Sequence, residues 1–190
     1  MFFTLHRVVR ILGLVVLAAV AFLAWQRPAL FDPAADLVAA LRSGNTIQGT
    51  VLTSITGQVV RVFDGTGFQL RDEQRRSFNV RLAGLDAPSL TSRNRQERER
   101  ASISRSNLCE LVLSNQVRLE VMLTNAARTA LATAYLGRTN VNAALLESGH
   151  FTLRPDYMVG LPLRTRYTLV RADRQGRLNA AAASRPSAPP

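Results

Sequence analysis

Lysine is absent from this 190-residue chain: all 24 basic residues are arginine, against 13 acidic ones, for a formal net charge of +11. Arginine's planar fork suits phosphate and carboxylate recognition better than a lysine ammonium does. A biased nucleotide composition of the source genome would give the same usage, and both readings stand. A basic excess favours nucleic acid, anionic lipid head groups or an acidic protein partner. Cysteine occurs once, at Cys109, which excludes an internal disulfide and a cysteine metal site. Its place on an apolar helix face reads as a core thiol. The two histidines, His6 and His150, have no second ligand at usable spacing, so neither suggests a metal centre. Acidic residues are missing from positions 1 to 31. No internal repeat is evident.

Within that acid-free stretch, Arg7 and Arg10 precede an uninterrupted apolar run from Ile11 to Trp25. The run is shorter than the roughly 20 residues that span a bilayer, and Val8 and Val9 lengthen it when Arg10 snorkels. Trp25 and Arg27 suit the opposite interface. The expectation is a single-pass anchor over residues 1–27, meeting the membrane through 8–25, in a mitochondrial membrane or a bacterial envelope. A signal peptide is the alternative, because Ala19-Val20-Ala21 resembles a cleavage site; apolar residues continuing to Trp25 favour the anchor. The 47% hydrophobic fraction is raised by this segment and by alanine, which leaves a modest core. Residues 28–48 form a juxtamembrane connector. In it Asp32-Pro33 can start a short helix with Leu37, Val38 and Leu41 on one side and Gly44-Asn45 at its end.

Residues 46–56 read as a first strand, with Ile47, Val51 and Ile55 among threonines. Gly57 to Ser89 then reads as a meander. Val59, Val60, Val62 and Phe63 run into Asp64-Gly65-Thr66-Gly67, whose glycines are expected to supply positive φ angles for a tight turn. Phe68 and Leu70 return, Arg71 to Arg75 make a polar second turn, and Phe78, Val80 and Leu82 alternate with Asn79, Arg81 and Ala83. Pro88 ends the run. Phe63, Phe68 and Phe78 read as core, which leaves few aromatics for stacking on bases. Glu97 to Ser114 has helical spacing, with Ala101, Ser104, Leu108, Leu111 and Val112 in one stripe and Arg98, Arg100 and Arg105 off it. Val117, Leu119, Val121 and Leu123 form a further alternating strand, and Leu131–Leu136 another. Asn140–Ser148 is a short helix stopped by Gly149, and Leu163–Ala172 the last helix. The Ala/Pro-rich tail, 180–190, is expected to be disordered. This order predicts an α+β fold: a five-stranded OB-type barrel with about three packed helices, behind one N-terminal transmembrane helix.

Val59-Val60-Arg61-Val62-Phe63-Asp64-Gly65, followed by Val80-Arg81-Leu82-Ala83-Gly84-Leu85-Asp86-Ala87-Pro88, resembles the staphylococcal nuclease (thermonuclease) family. The helix Val141-Asn142-Ala143-Ala144-Leu145-Leu146-Glu147-Ser148-Gly149 is similar to that family's Val-Asn-x-x-Leu helix, and Gly176-Arg177-Leu178-Asn179 to the ending after its last helix. The resemblance covers residues 49–179.

For active members the resemblance implies a calcium ion held by an Asp-Gly-Asp turn and by the aspartate before Thr/Ala-Pro. It also implies a glutamate after that proline and two arginines on the phosphate. Carried onto this chain, the metal positions are Asp64 and Asp86, and the catalytic arginines are Arg81 and, in altered surroundings, Arg128. Thr66 and Ser89 stand where acidic residues are expected. Loss of a general base typically costs about 10²–10⁴ in rate. Fewer charged oxygens also weaken calcium. Glu97 or Glu99 could stand in as a base, or simply complement the helix dipole. Asp64 could simply serve its turn, and Asp86 could cap amides near Pro88 or pair with Arg81.

Three functions follow. The first is a membrane-tethered, catalytically inactive nuclease-like domain, acting as a binding or accessory subunit with protein partners in a membrane complex and needing no cofactor. The second is a calcium-dependent phosphodiesterase on DNA or RNA. The third is a non-catalytic nucleic-acid binder.

Overall fold

A long first strand that serves two partners in turn sets the architecture. The computed structural model describes residues 32–43, 51–124 and 129–183, and the anchor segment, Arg128 and most of the tail lie outside them. The chain divides into two compact units, Met1–Val38 and Ala39–Pro190. Helix α1, Asp32–Arg42, starts at the expected Asp-Pro pair. Everything that follows belongs to the second unit.

Strand β1 is Thr53–Val62, so the expected first strand and the first run of the meander are one element. Its first half pairs antiparallel with β5, Gln116–Thr124, from Thr53↔Val121 to Gln58↔Gln116. Its second half pairs with β2, Gly67–Asp72, from Gly57↔Asp72 to Val62↔Phe68. At the overlap the strands approach so closely that a Cβ on Gly57 would lie 2.4 Å from the Arg71 carbonyl oxygen. Only glycine fits there. The register shifts between Val59 and Arg61, a bulge that bends the strand as barrel closure requires.

Strand β3, Ser77–Leu82, pairs antiparallel with β2, so the meander forms as its alternation predicts. It then pairs in parallel with β6, Thr129–Leu136, from Asn79↔Thr129 to Leu82↔Ala132. With β5 and β6 antiparallel, the order β3-β2-β1-β5-β6 closes on itself. The result is a closed five-stranded barrel compatible with an OB-fold. A two-residue strand β4, Leu85–Asp86, follows β3, and β7, Thr139–Asn140, extends the sheet from β6.

The interior is filled by inward-facing side chains at period two: Phe68 and Leu70 from β2, Val80 and Leu82 from β3, Val117 and Leu119 from β5 are all buried. The alternation breaks at the β1 bulge, where Val59 and Val62 are both buried, and again late in β5. A second register shift between Val121 and Leu123 inverts the parity, so Met122 is buried and Leu123 is 59% exposed. Sequence alternation had placed them the other way round.

Helix α2, Arg95–Val112, begins after Asn94, whose side chain accepts from the Gln96 N–H. It buries Ala101, Ser104, Leu108 and Val112, the expected stripe, with Cys109 a free thiol of intermediate burial against the core. Helix α3, Val141–Glu147, is capped by Asn140 and stopped at Gly149, whose φ is +77°. After β8, Thr152–Leu153, and a 3-10 turn, Pro155–Met158, helix α4 runs from Leu163 to Ala183. It continues well past Ala172, through Gly176-Arg177-Leu178-Asn179 and into the tail. By the family resemblance Gly176 was expected beyond the helix, in the ending that follows it. A Cβ there would sit 2.0 Å from the Leu146 carbonyl oxygen, so this glycine lets α3 and α4 cross in backbone contact. Among the described residues, no helix is long and apolar enough to cross a membrane.

Candidate functional site

One mouth of the barrel opens into a cleft of about 440 Å³, lined by Phe63, Asp64, Thr66, Arg81, Asp86 and residues 87–91. The β1–β2 turn, the end of β3, and β4 with the loop after it supply these residues. Four of the six described positions that the sequence singled out for chemistry therefore converge with Thr66 here: Asp64, Arg81, Asp86 and Ser89 share one cavity. The remaining two, Glu97 and Glu99, belong to the exposed start of α2. There Glu97 accepts from the Ser92 hydroxyl at 2.5 Å and Glu99 from Arg95 at 2.9 Å. Arg128 lies outside the described residues.

The turn is built from its own side chains. Asp64 Oδ1 accepts from the Thr66 N–H at 2.7 Å and from the Thr66 hydroxyl at 3.1 Å, an Asx turn that fixes the carboxylate. Its glycines are not there for positive φ, since neither Gly65 nor Gly67 has one. They are there for space. A Cβ on Gly65 would fall 2.8 Å from Ala87 Cβ and 2.9 Å from Ser104 Cβ, so the turn is wedged between the loop after β4 and helix α2. The Ser104 hydroxyl donates in turn to the backbone carbonyls of Arg100 and His150.

Asp86 has a partner other than the one first considered. Its Oδ1 accepts from the Ala87 N–H at 3.1 Å, and its Oδ2 from Arg154 Nη1 at 3.1 Å. Arg154, not Arg81, makes the ion pair. Arg154 and Arg81 both lie over the Tyr157 ring, at 5.4 and 6.0 Å from its centre. Among the described residues no ion pair involves Arg81, which is exposed at the cleft wall. Ser89 turns to Thr91, its hydroxyl within 2.9 Å of the Thr91 hydroxyl and accepting from the Thr91 N–H.

Phe63 departs from its expected core role. It is 36% exposed, lines the cleft, and carries the Arg61 guanidinium 5.4 Å from its ring centre. Among the described residues, the cleft included, no group of three or more His, Cys, Asp or Glu side chains could hold a metal. His150 is exposed.

Arg154 and Tyr157 escaped the sequence reading. They contact two cleft-lining residues, Asp86 and Arg81, because β4 and β8 pair, Leu85↔Leu153 and Asp86↔Thr152. Two-residue strands leave no periodicity to detect. No protein-family model matches this chain, and no curated protein does.

Proposed function

We propose that this chain is a membrane-tethered barrel of the staphylococcal-nuclease type that does not catalyse, and that it serves as a binding or structural accessory subunit of a membrane-associated assembly. The observation that carries this reading is the state of the two carboxylates in the cleft. Asp64 is committed to its own turn and Asp86 to Arg154. Thr66 and Ser89 add hydroxyls where catalysis by that family's route would use acids.

Calcium takes six to eight oxygens, and its affinity follows the number that carry charge. Two carboxylates, one of them already neutralised by a guanidinium, do not fit such an ion. Asp64 takes both turn hydrogen bonds on Oδ1, which holds its carboxylate in the turn. The barrel is retained while the reactive side chains are diverted to structural bonds, which suits a scaffold. The apolar run Ile11–Trp25 supplies the tether, and the arginine excess supplies surfaces for anionic groups on partners. Gentle extraction from native membranes tests this: the account expects the chain to migrate in a complex with other proteins. A lone monomer would contradict it.

A second reading, a non-catalytic nucleic-acid binder, draws on Phe63. An exposed ring beside Arg61 at the cleft is what base stacking and phosphate contact would use together. It expects affinity for single strands that falls steeply with salt and drops with Phe63→Ala. Salt-insensitive binding would contradict it.

A further inference from the structure

The end of the barrel opposite the cleft exposes a group of apolar side chains. Leu52 is 61% exposed, Leu123 59% and Val51 38%. They are neighbours: the Leu52 N–H donates to the Val121 carbonyl at 2.8 Å, Thr53 pairs with Val121, and Leu123 follows two residues on. Leu123 pairs in turn with Leu131, which is half-buried. The register shift between Val121 and Leu123 turns Leu123 outward, and bulges re-aim side chains in this way. The other exposed large apolar residues from β1 onward, Phe63, Ile103, Leu113, Val159 and Leu178, adjoin one another neither in sequence nor in strand pairing. Single exposed residues of that kind are ordinary. A cluster is not.

Val51 is also where the chain enters the barrel from its N-terminal apolar run, with residues 26–50 between it and Trp25. Within that connector, helix α1 exposes Leu37, Val38 and Leu41 as well. Strand β1 begins beside the patch and ends next to Phe63 and Asp64 of the cleft. Its ten residues, at about 3.3 Å each, separate the two ends by roughly 30 Å along the strand. We infer that the end of the barrel carrying Val51, Leu52 and Leu123 rests in the head-group zone of the bilayer that holds the tether, so that the cleft opens away from that membrane. The inference rests on the membrane-tethered reading above and deepens it, naming the face that meets lipid and the face left to partners in the aqueous phase. Size favours lipid over a protein as the occupant. Three side chains fall far short of the roughly 800 Å² a side that a stable protein interface buries. A tethered domain needs no such area, because the anchor makes the contact intramolecular and raises its effective concentration. Shallow insertion of a few apolar side chains into the interface then suffices.

The test uses the full chain, one copy per nanodisc, in discs of phosphatidylcholine and phosphatidylglycerol. An environment-sensitive fluorophore is attached through Leu123→Cys or, at the cleft, through Ser89→Cys, each in a Cys109→Ala background checked by circular dichroism. The probe at 123 should be blue-shifted relative to the probe at 89. It should be quenched several-fold less by aqueous iodide and several-fold more by lipids carrying a nitroxide on the head group. Adding Val51→Ser and Leu52→Ser removes the rest of the patch and should raise iodide quenching at 123 to the level at 89. Equal iodide quenching at the two positions without those changes would overturn the inference, as would protection at 123 with no nitroxide quenching, the signature of protein contact. Where Cys109→Ala disturbs the fold, hydroxyl-radical labelling of the unaltered chain in the same discs takes over. Leu52 and Leu123 should then be labelled several-fold less than Leu178, which is 58% exposed on α4; equal labelling would overturn the inference. Co-elution with the discs separates the two levels of the account. A chain that enters the discs but leaves Leu123 open sinks this inference alone, whereas a chain that stays outside them sinks the membrane-tethered reading with it.

Discussion

Replacing Asn142 by alanine would remove one amide that ties α3, β6 and the segment after β3 together. The side chain is fully buried. Its Oδ1 accepts from the Ala134 N–H on β6 at 2.9 Å, and its Nδ2 donates to the carbonyl of Ala83 at 2.8 Å and more weakly to that of Ala132 at 3.4 Å. Ala83 follows the last residue of β3 and leads directly into Gly84 and Asp86. Truncation strands a buried donor and a buried acceptor, each costing about 1–3 kcal/mol, and leaves a small void. The total is about 3–5 kcal/mol, a large share of the roughly 5–15 kcal/mol that holds a domain folded. Urea denaturation of the full chain followed by circular dichroism measures it. A loss below about 1 kcal/mol with an unchanged m-value would refute the argument, because it would mean water or a rearranged backbone satisfies both groups at little cost.

Gly176→Ala should destabilise despite alanine's better helix propensity of about 1 kcal/mol, because its Cβ would meet the Leu146 carbonyl at 2.0 Å; a melting temperature at or above wild type would contradict the close crossing of α3 and α4. Gly65→Ala should cost about 1–3 kcal/mol by overpacking against Ala87 and Ser104, read by the same denaturation series, and a neutral result would show that the turn is not wedged. Asp72 should contribute acid-sensitive stability: burial raises its pKa, but hydrogen bonds from the Arg76 side chain and backbone, with its charge, outweigh burial and leave it below the ordinary aspartate value. Its contribution is then present above the unfolded-state pKa and lost as pH falls through the lower folded-state one. Melts across that acid range should show Asp72→Asn losing less stability than wild type; identical slopes would rule the contribution out.

What was legible in the sequence divides along physical lines. Period-two alternation at Phe78, Val80 and Leu82, and helical spacing at Ala101, Ser104, Leu108 and Val112, report one buried face each, and both elements formed as read. The Asn140 cap and the Gly149 stop are local chemistry and were equally readable. Failures came wherever a distant backbone decided the matter. The bulge after Val121 inverted Met122 and Leu123. Gly65 and Gly67 read as turn glycines, but neither has a positive φ, and at Gly65, as at Gly176, the space is taken by neighbours remote in sequence. At the cleft, Asp64, Thr66, Arg81, Asp86 and Ser89 were singled out together by the family resemblance rather than by any periodicity, and they do line one cavity. Arg154 was not legible, since its place depends on a two-residue strand pairing across more than sixty positions.

The most direct test of the non-catalytic account is a cleavage assay on the purified full chain, with single- and double-stranded DNA and with RNA, in calcium, from neutral to alkaline pH. The account predicts no cleavage above that of an Arg81→Ala control. Calcium-stimulated cleavage that Arg81→Ala or Asp86→Ala abolishes would contradict it.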